Sequence, residues 1–212
     1  MKYRSTTLFV VLCALLVVLF VVDLLVGSVS IPLRDIFAAL LGGEVTPSTR
    51  LIVVDIRLVK AVVAVLAGMA LSVSGLQMQT LFRNPLAGPY VLGISSGASL
   101  GVALFILGMP LLGIATSSTI SSLGTAGAAW LGSALILAFV ASVSTRIKDI
   151  MVILILGMMI SSGVSAVVQI LQYLSNEEAL KSFVIWTMGS LGDVTTNQLH
   201  LMLPAVLLGL VV

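Results

Sequence analysis

One histidine, one cysteine and a charged fraction of 8% leave this 212-residue chain short of the groups that site chemistry draws on. Cys13 stands alone inside an apolar run, so it can form no disulfide within the chain and says nothing about redox compartment. Without a cluster of cysteine and histidine, no zinc or haem site built by this chain alone is expected, and no cofactor. No G-x-x-x-x-G-K-[ST] loop occurs, so no nucleotide is held through a P-loop and work from ATP must come from another subunit. The net charge of +2 is spread along the chain, with no basic patch carrying interleaved aromatics, which makes no case for a nucleic-acid partner.

The scarcity of charge has a further consequence. Soluble domains carry about a quarter charged residues because something must face water. Here 59% of residues are hydrophobic and the mean hydropathy is +1.26. One core of a chain this size cannot hide that much apolar surface, so lipid must serve as solvent for most of it. The expected fold is all-α, a polytopic transmembrane helical bundle.

A bilayer crossing takes about 20 mostly apolar helical residues. Such runs are Leu8 to Val26, interrupted by Asp23, then Ala61 to Leu81, Tyr90 to Leu107, Leu123 to Val143 and Ile150 to Leu171. A sixth begins near Leu199 and is still apolar at Val212. The first run is too long for a signal-peptide core and is followed by more spans, so it is read as a retained helix. Between the first two runs, Ile31 to Leu41 reads as a short amphipathic segment with Arg34 and Asp35 facing water. Asn176 to Met188 reads as a second short helix, with Glu177, Glu178 and Lys181 exposed.

Basic residues in the short loops favour a cytoplasmic N-terminus: Lys2, Arg4, Arg83, Arg146 and Lys148 then lie inside. On the other side are Arg34, Arg50, Arg57, Lys60 and Lys181, four of them in a long segment where the rule is weaker. The stretch Thr80 to Gly93, TLFRNPLAGPYVLG, falls on the cytoplasmic side, where Pro85 and Pro89 stop a helix whose freed carbonyls need water or a cavity.

Small residues recur at four-residue spacing: Gly93, Gly97 and Gly101; Ala64, Gly68 and Ser72; Gly124, Ala128 and Gly132; Gly157, Ser161 and Ser165. That spacing puts them on one helix face and lets backbones approach, which is how spans associate in lipid. The polar residues within spans, Gln77, Gln79 and Gln169, are read first as partners of neighbouring helices. No Asp, Glu, Lys or Arg sits mid-membrane, which argues against an ion-coupled carrier in this portion. Gly93-Ile94-Ser95-Ser96-Gly97 matches the nucleophile-elbow pattern but opens a membrane helix, and His200 is the sole histidine, so Ser95 as a nucleophile is disfavoured.

Three stretches together resemble one family. They are Asp55-Ile56-Arg57-Leu58-Val59-Lys60 leading to Leu66 through Gly75 and Gln79, then Arg83-Asn84-Pro85-Leu86-Ala87-Gly88-Pro89 with Leu92-Gly93 and Gly97-Ala98, and Trp186 through Leu191. The chain is similar, in order and over nearly its whole length, to the permease subunits of binding-protein-dependent ABC importers for iron–siderophores, haem and cobalamin. The Arg-Asn-Pro-Leu-Ala stretch is the specific part; the glycine-rich spans alone would be weak.

The resemblance implies a multi-pass protein of the cell (inner) membrane, with about ten spans per subunit in the full family. It implies a second permease subunit, identical or paralogous, two ATP-binding ATPase subunits below, and a periplasmic or lipid-anchored substrate-binding protein above. The permease itself would not be an enzyme. Asn84 and Leu86 match positions of a cytoplasmic gate. A second constriction falls at Asp149, Ile150 and Met151, although the local sequence departs from the family's. Gly157, Ser161 and Ser165 are candidates to line the path, with helix packing as the equal alternative. Where relatives carry Arg-Leu-Pro-Arg for docking of the binding protein, this chain has Arg57 and Lys60: Arg57 matches directly, and Lys60 keeps the charge but not the fork.

The sixth run has no polar flank at Val212, and relatives continue with a segment contacting the ATPase and further spans. Residues 1–212 are therefore expected to be one permease domain, incomplete at its C-terminus. A secondary carrier or channel, an intramembrane serine protease using Ser95 and His200, and an inert fragment are the competing readings.

Overall fold

The computed structural model of the chain describes residues 2–111, 113, 118–147, 149–192 and 194–211. Lys148, counted above among the inner cations, lies outside the described residues, as does Val212. The described residues form helices joined by short connections, with no strand among them. In order these are α1 (Lys2–Leu25), α2 (Leu33–Leu41), α3 (Pro47–Arg50), a π-helical segment (Leu51–Leu58), α4 (Val59–Phe82), a 3₁₀ turn (Pro89–Leu92) and α5 (Ile94–Ala103). A second π-helical turn (Leu104–Gly108) follows, then α6 (Met109–Leu111), α7 (Ser118–Ser144), α8 (Ile150–Leu174), α9 (Glu177–Met188) and α10 (Thr196–Val211).

Thr6–Leu25, Leu123–Ser144 and Ile150–Leu174 are long and apolar enough to cross a bilayer by length and composition. They match the first, fourth and fifth runs of the sequence. The second run lies in α4, whose 24 residues measure about 36 Å at 1.5 Å per residue. The third run departs from expectation. Its helix starts at Ile94, not Tyr90, because Pro89 opens a 3₁₀ turn and Gly93 adopts a left-handed conformation with φ of 80°. The apolar helix that remains, Ile94–Gly108, is short of a full crossing.

The chain divides into two compact units: Met1–Ala70 with Leu191–Val212, and Leu71–Ser190. In the first, Ile36 and Ala39 of α2 and Val53 of the π-helical segment are buried together, with Leu25, Ile31 and Val45 packed around them. As the amphipathic pattern requires, α2 leaves Arg34 exposed. Pro47 sits in the first turn of α3, where its missing N–H costs nothing, and the Thr46 side chain caps that helix by accepting from the Thr49 N–H.

The second unit holds two apolar clusters. Val102, Ala103, Leu107, Val168, Ala179 and Phe183 form one, with Trp186 at its edge stacked on Phe183 at 6.2 Å between ring centroids. Phe82, Ala87, Leu92 and Val140 form the other. Between them α5 and α7 meet backbone to backbone. A Cβ added at Gly97 would lie 2.5 Å from the Gly132 carbonyl oxygen, and one at Gly101 would strike the Ala128 carbonyl. Ser133 donates across the same contact to the Ile94 carbonyl at 3.3 Å. Two of the small-residue runs thus pack on each other, whereas a Cβ at Gly68 would meet nothing within 4 Å.

Helix α9 begins at Glu177, capped by the Asn176 side chain, which accepts from the Ala179 N–H at 2.8 Å. Glu177, Glu178 and Lys181 are exposed on it, as the sequence predicts.

Candidate functional site

The stretch after α4 is built by three local devices. Pro85 disfavours helical backbone at Asn84, so α4 must end just before it. It ends in a Schellman arrangement: the Asn84 N–H reaches back to the Gln79 carbonyl at 3.1 Å, and the Arg83 N–H to the Thr80 carbonyl at 3.3 Å. The residue at the left-handed position is Arg83, with φ of 49°, the non-glycine residue with positive φ among those described.

The chain then turns on itself. The Asn84 carbonyl accepts from the Ala87 N–H at 3.1 Å, with Pro85 at the second position of the turn, and the Asn84 side-chain oxygen accepts from the Leu86 N–H at 2.9 Å. Phe82 and Ala87, on either side of the turn, are buried with Leu92 and Val140, so its roots are fixed. Its tip is not covered: Leu86 is 84% exposed, within a segment whose neighbours are held.

The start of α8 is rooted in the same cluster. Asp149 is its N-cap, with the carboxylate accepting from the Met151 N–H at 2.8 Å. Ile150 and Met151 are exposed, and Ile153 and Leu154, half a turn further, pack against the Phe82, Ala87, Leu92 and Val140 cluster. The two stretches that the sequence singled out as gates therefore share one apolar support.

The three small residues of α8 divide. A Cβ at Gly157 would lie 2.5 Å from the Val91 carbonyl oxygen, so this glycine is buried beneath the 3₁₀ turn. Ser161 donates to the Gly157 carbonyl at 2.9 Å, and its hydroxyl oxygen lies 3.0 Å from where a Cβ on Gly93 would be. Ser165 is exposed. Gly157 and Ser161 thus lie against the helix break.

In the first unit, Arg57 and Lys60 part ways. Lys60 is exposed and pairs with Asp23 of α1 at 3.1 Å. Arg57 is buried, 6% exposed, and donates from Nη1 to the Leu24 and Leu25 carbonyls at 3.0 and 3.1 Å and from Nη2 to the Val29 carbonyl. Its charge is turned onto the end of α1, whereas the sequence offers it only as a basic residue at the outer edge of a span. Asp23, the partner of Lys60, was visible in the sequence only as an interruption of the first run. In the same unit the Thr196 hydroxyl donates to the Asp55 carboxylate at 3.3 Å.

Ser95 is exposed in the first turn of α5, after a left-handed glycine and without the strand that a nucleophile elbow requires. Among the described residues no group of three or more His, Cys, Asp or Glu is placed to hold a metal.

Residues 15–212 match the FecCD transport family. The chain is 32% identical over 194 residues to the molybdate import system permease protein MolB of Haemophilus influenzae, covering 89% of this chain and 55% of that protein. It is 38% identical over 161 residues to the hemin transport system permease protein HmuU of Yersinia pestis, covering 74% of this chain and 47% of that one. A solved inward-facing conformation of an ABC transporter described as of metal-chelate type superposes with a TM-score of 0.77 at 29% identity, over 96% of this chain and 59% of that chain. The chain spans about half the length of the curated relatives it matches.

Proposed function

The chain belongs to the FecCD transport family, and from that premise we propose that it forms half of the translocation path of a binding-protein-dependent ABC importer. Residues 1–212 are read as one transmembrane permease domain in the cell (inner) membrane, with the N-terminus cytoplasmic. The wall is completed by a second permease subunit. Energy comes from two ATPase subunits, and the permease has no catalytic site of its own. A periplasmic or lipid-anchored binding protein delivers the cargo. That cargo is an iron–siderophore, haem or cobalamin-type chelate; the likeness to a molybdate permease adds an oxyanion to the substrates to be tried.

The observation that carries this reading is the Arg83–Gly93 break: an exposed Leu86 at the tip of a hydrogen-bonded turn whose flanks are buried. Leu86 and Asn84 form the cytoplasmic gate, with Leu86 closing against the second subunit. Asp149, Ile150 and Met151 border the same constriction from the start of α8. Gly157 and Ser161 hold the break in place, and Ser165, further along the exposed face of α8, is the candidate for the path itself. Docking of the binding protein proceeds from Lys60.

The test is leak and uptake in vesicles containing the permease with its ATPase subunits. The parent should hold a loaded ferric chelate and import it only with ATP and binding protein. Leu86→Ala should release the chelate without ATP. An unchanged leak would remove the gate assignment, and uptake driven by a proton or sodium gradient without the ATPase would remove the importer reading.

A further inference from the structure

Among the described residues, Arg57 is the buried charged side chain, and it donates to backbone carbonyls. What neutralises it is a helix end. Leu24 and Leu25 are the last residues of α1, where carbonyls lack partners within the helix and the macrodipole is negative. The guanidinium fork takes both of these carbonyls on one nitrogen and reaches the Val29 carbonyl with the other. Gly27 lies under the fork: a Cβ there would come within 2.6 Å of Nη2 and 2.8 Å of Cζ, so any other residue would displace the guanidinium.

We propose that Arg57 is a positioning residue, a clamp that fixes the end of α1 and the turn after it onto the π-helical segment. The clamp sets where Asp23 and Lys60 stand, because Asp23 is on the last turns of α1 and Lys60 lies one turn beyond Arg57. Its bearing on docking rests on the reading of Lys60 given above, while the clamp itself does not. Lysine would keep the charge but lacks the two-nitrogen fork that reaches the Leu24 and Leu25 carbonyls from one nitrogen and the Val29 carbonyl from the other.

The experiment uses the permease in nanodiscs with its ATPase subunits and compares Arg57→Met, Arg57→Lys, Gly27→Ala and Lys60→Glu. Two quantities are read: amide exchange at Leu24–Val26, and the rate of capture of the binding protein at low and high salt. The clamp requires exchange to quicken by about tenfold in Arg57→Met and in Gly27→Ala, with Arg57→Lys between parent and these two and Lys60→Glu at the parent rate. Capture should slow by a similar factor in Arg57→Met and Gly27→Ala without a change in its salt slope. Parent-like exchange in both Arg57→Met and Gly27→Ala would overturn the clamp. A flattened salt slope in Arg57→Met with normal capture in Gly27→Ala would make Arg57 a docking contact and overturn the proposal. If exchange separates the variants as required but Lys60→Glu captures like the parent, the clamp stands and the docking reading falls.

Discussion

The Asn84 side-chain oxygen accepts the Leu86 N–H at 2.9 Å, so the residue beside the proline holds in place the backbone of the residue at the tip. The two positions that the family resemblance marks are thus one device, not two independent contributors. Asn84→Ala should lose a hydrogen bond worth about 1 kcal/mol and let the tip wander, giving a leak in loaded vesicles in the direction of Leu86→Ala. Asn84→Asp retains the acceptor and should leak less than Asn84→Ala. Equal leakage from the Asp and Ala variants would mean that the turn does not depend on this bond.

Arg83 occupies the left-handed position that ends α4, at φ of 49°. For an L-residue this costs about 1–2 kcal/mol, and glycine escapes it. Arg83→Gly should therefore raise thermal stability in detergent by about 1 kcal/mol, and Arg83→Val, whose branched side chain is least tolerant of that region, should lower it by at least as much. The order Gly, Arg, Val in melting temperature is the expected result. If Gly lowers the melting temperature, the Arg side chain contributes more than its backbone strain costs.

The glycines of α7 and α8 offer a contrast within single helices. A Cβ at Gly132 would strike the Gly97 carbonyl, backbone against backbone, while one at Gly127 or Gly163 would meet nothing within 4 Å. Gly132→Ala should therefore force α5 and α7 apart at a cost of about 1–3 kcal/mol or more. Gly127→Ala and Gly163→Ala should be neutral or stabilising by about 0.5–1 kcal/mol, as expected for alanine in a helix. Melting of the three purified variants decides this, and equal losses in all three would mean that Gly127 and Gly163 also meet a neighbour.

Composition and four-residue spacing were enough to read helices, most of their limits and the presence of faces for close packing, because lipid solvation and close backbone approach leave direct traces in residue type; which runs pair, as α5 and α7 do, was not legible. The helix break at 83–93 was legible from its prolines. Three further things were not. The late start of α5 depends on Gly93 closing a 3₁₀ turn, and a glycine among apolar residues gives no sign of its φ. Asp149 reads as a loop acid, and only its neighbour's N–H reveals a cap. The inward turn of Arg57 depends on a partner more than thirty residues earlier in the chain. Gly27 was a usable clue, being a small residue just past the end of α1, but it carries no label saying which side chain needs the room.

The last prediction concerns the exposed pair. Lys60 and Asp23 are 3.1 Å apart with side chains 45% and 35% exposed, so water and salt screen their attraction and the pair contributes about 0–1 kcal/mol to stability. Its larger effect would be on encounter, where an unpaired surface cation acts over a Debye length and alters association rates more than affinity. Asp23→Asn leaves Lys60 uncompensated and should speed capture of a binding protein that presents acid at its docking face, most at low salt. Lys60→Glu places two acids side by side and should slow capture over the same salt range. Melting temperatures should stay close to the parent in both, which separates an effect on encounter from damage to the fold. Stopped-flow association between 50 and 500 mM salt (on the order of a threefold change in Debye length) reads the slope. If both variants shift capture in the same direction, the charge at this corner is not what the binding protein senses, because the two substitutions move the local charge in opposite senses.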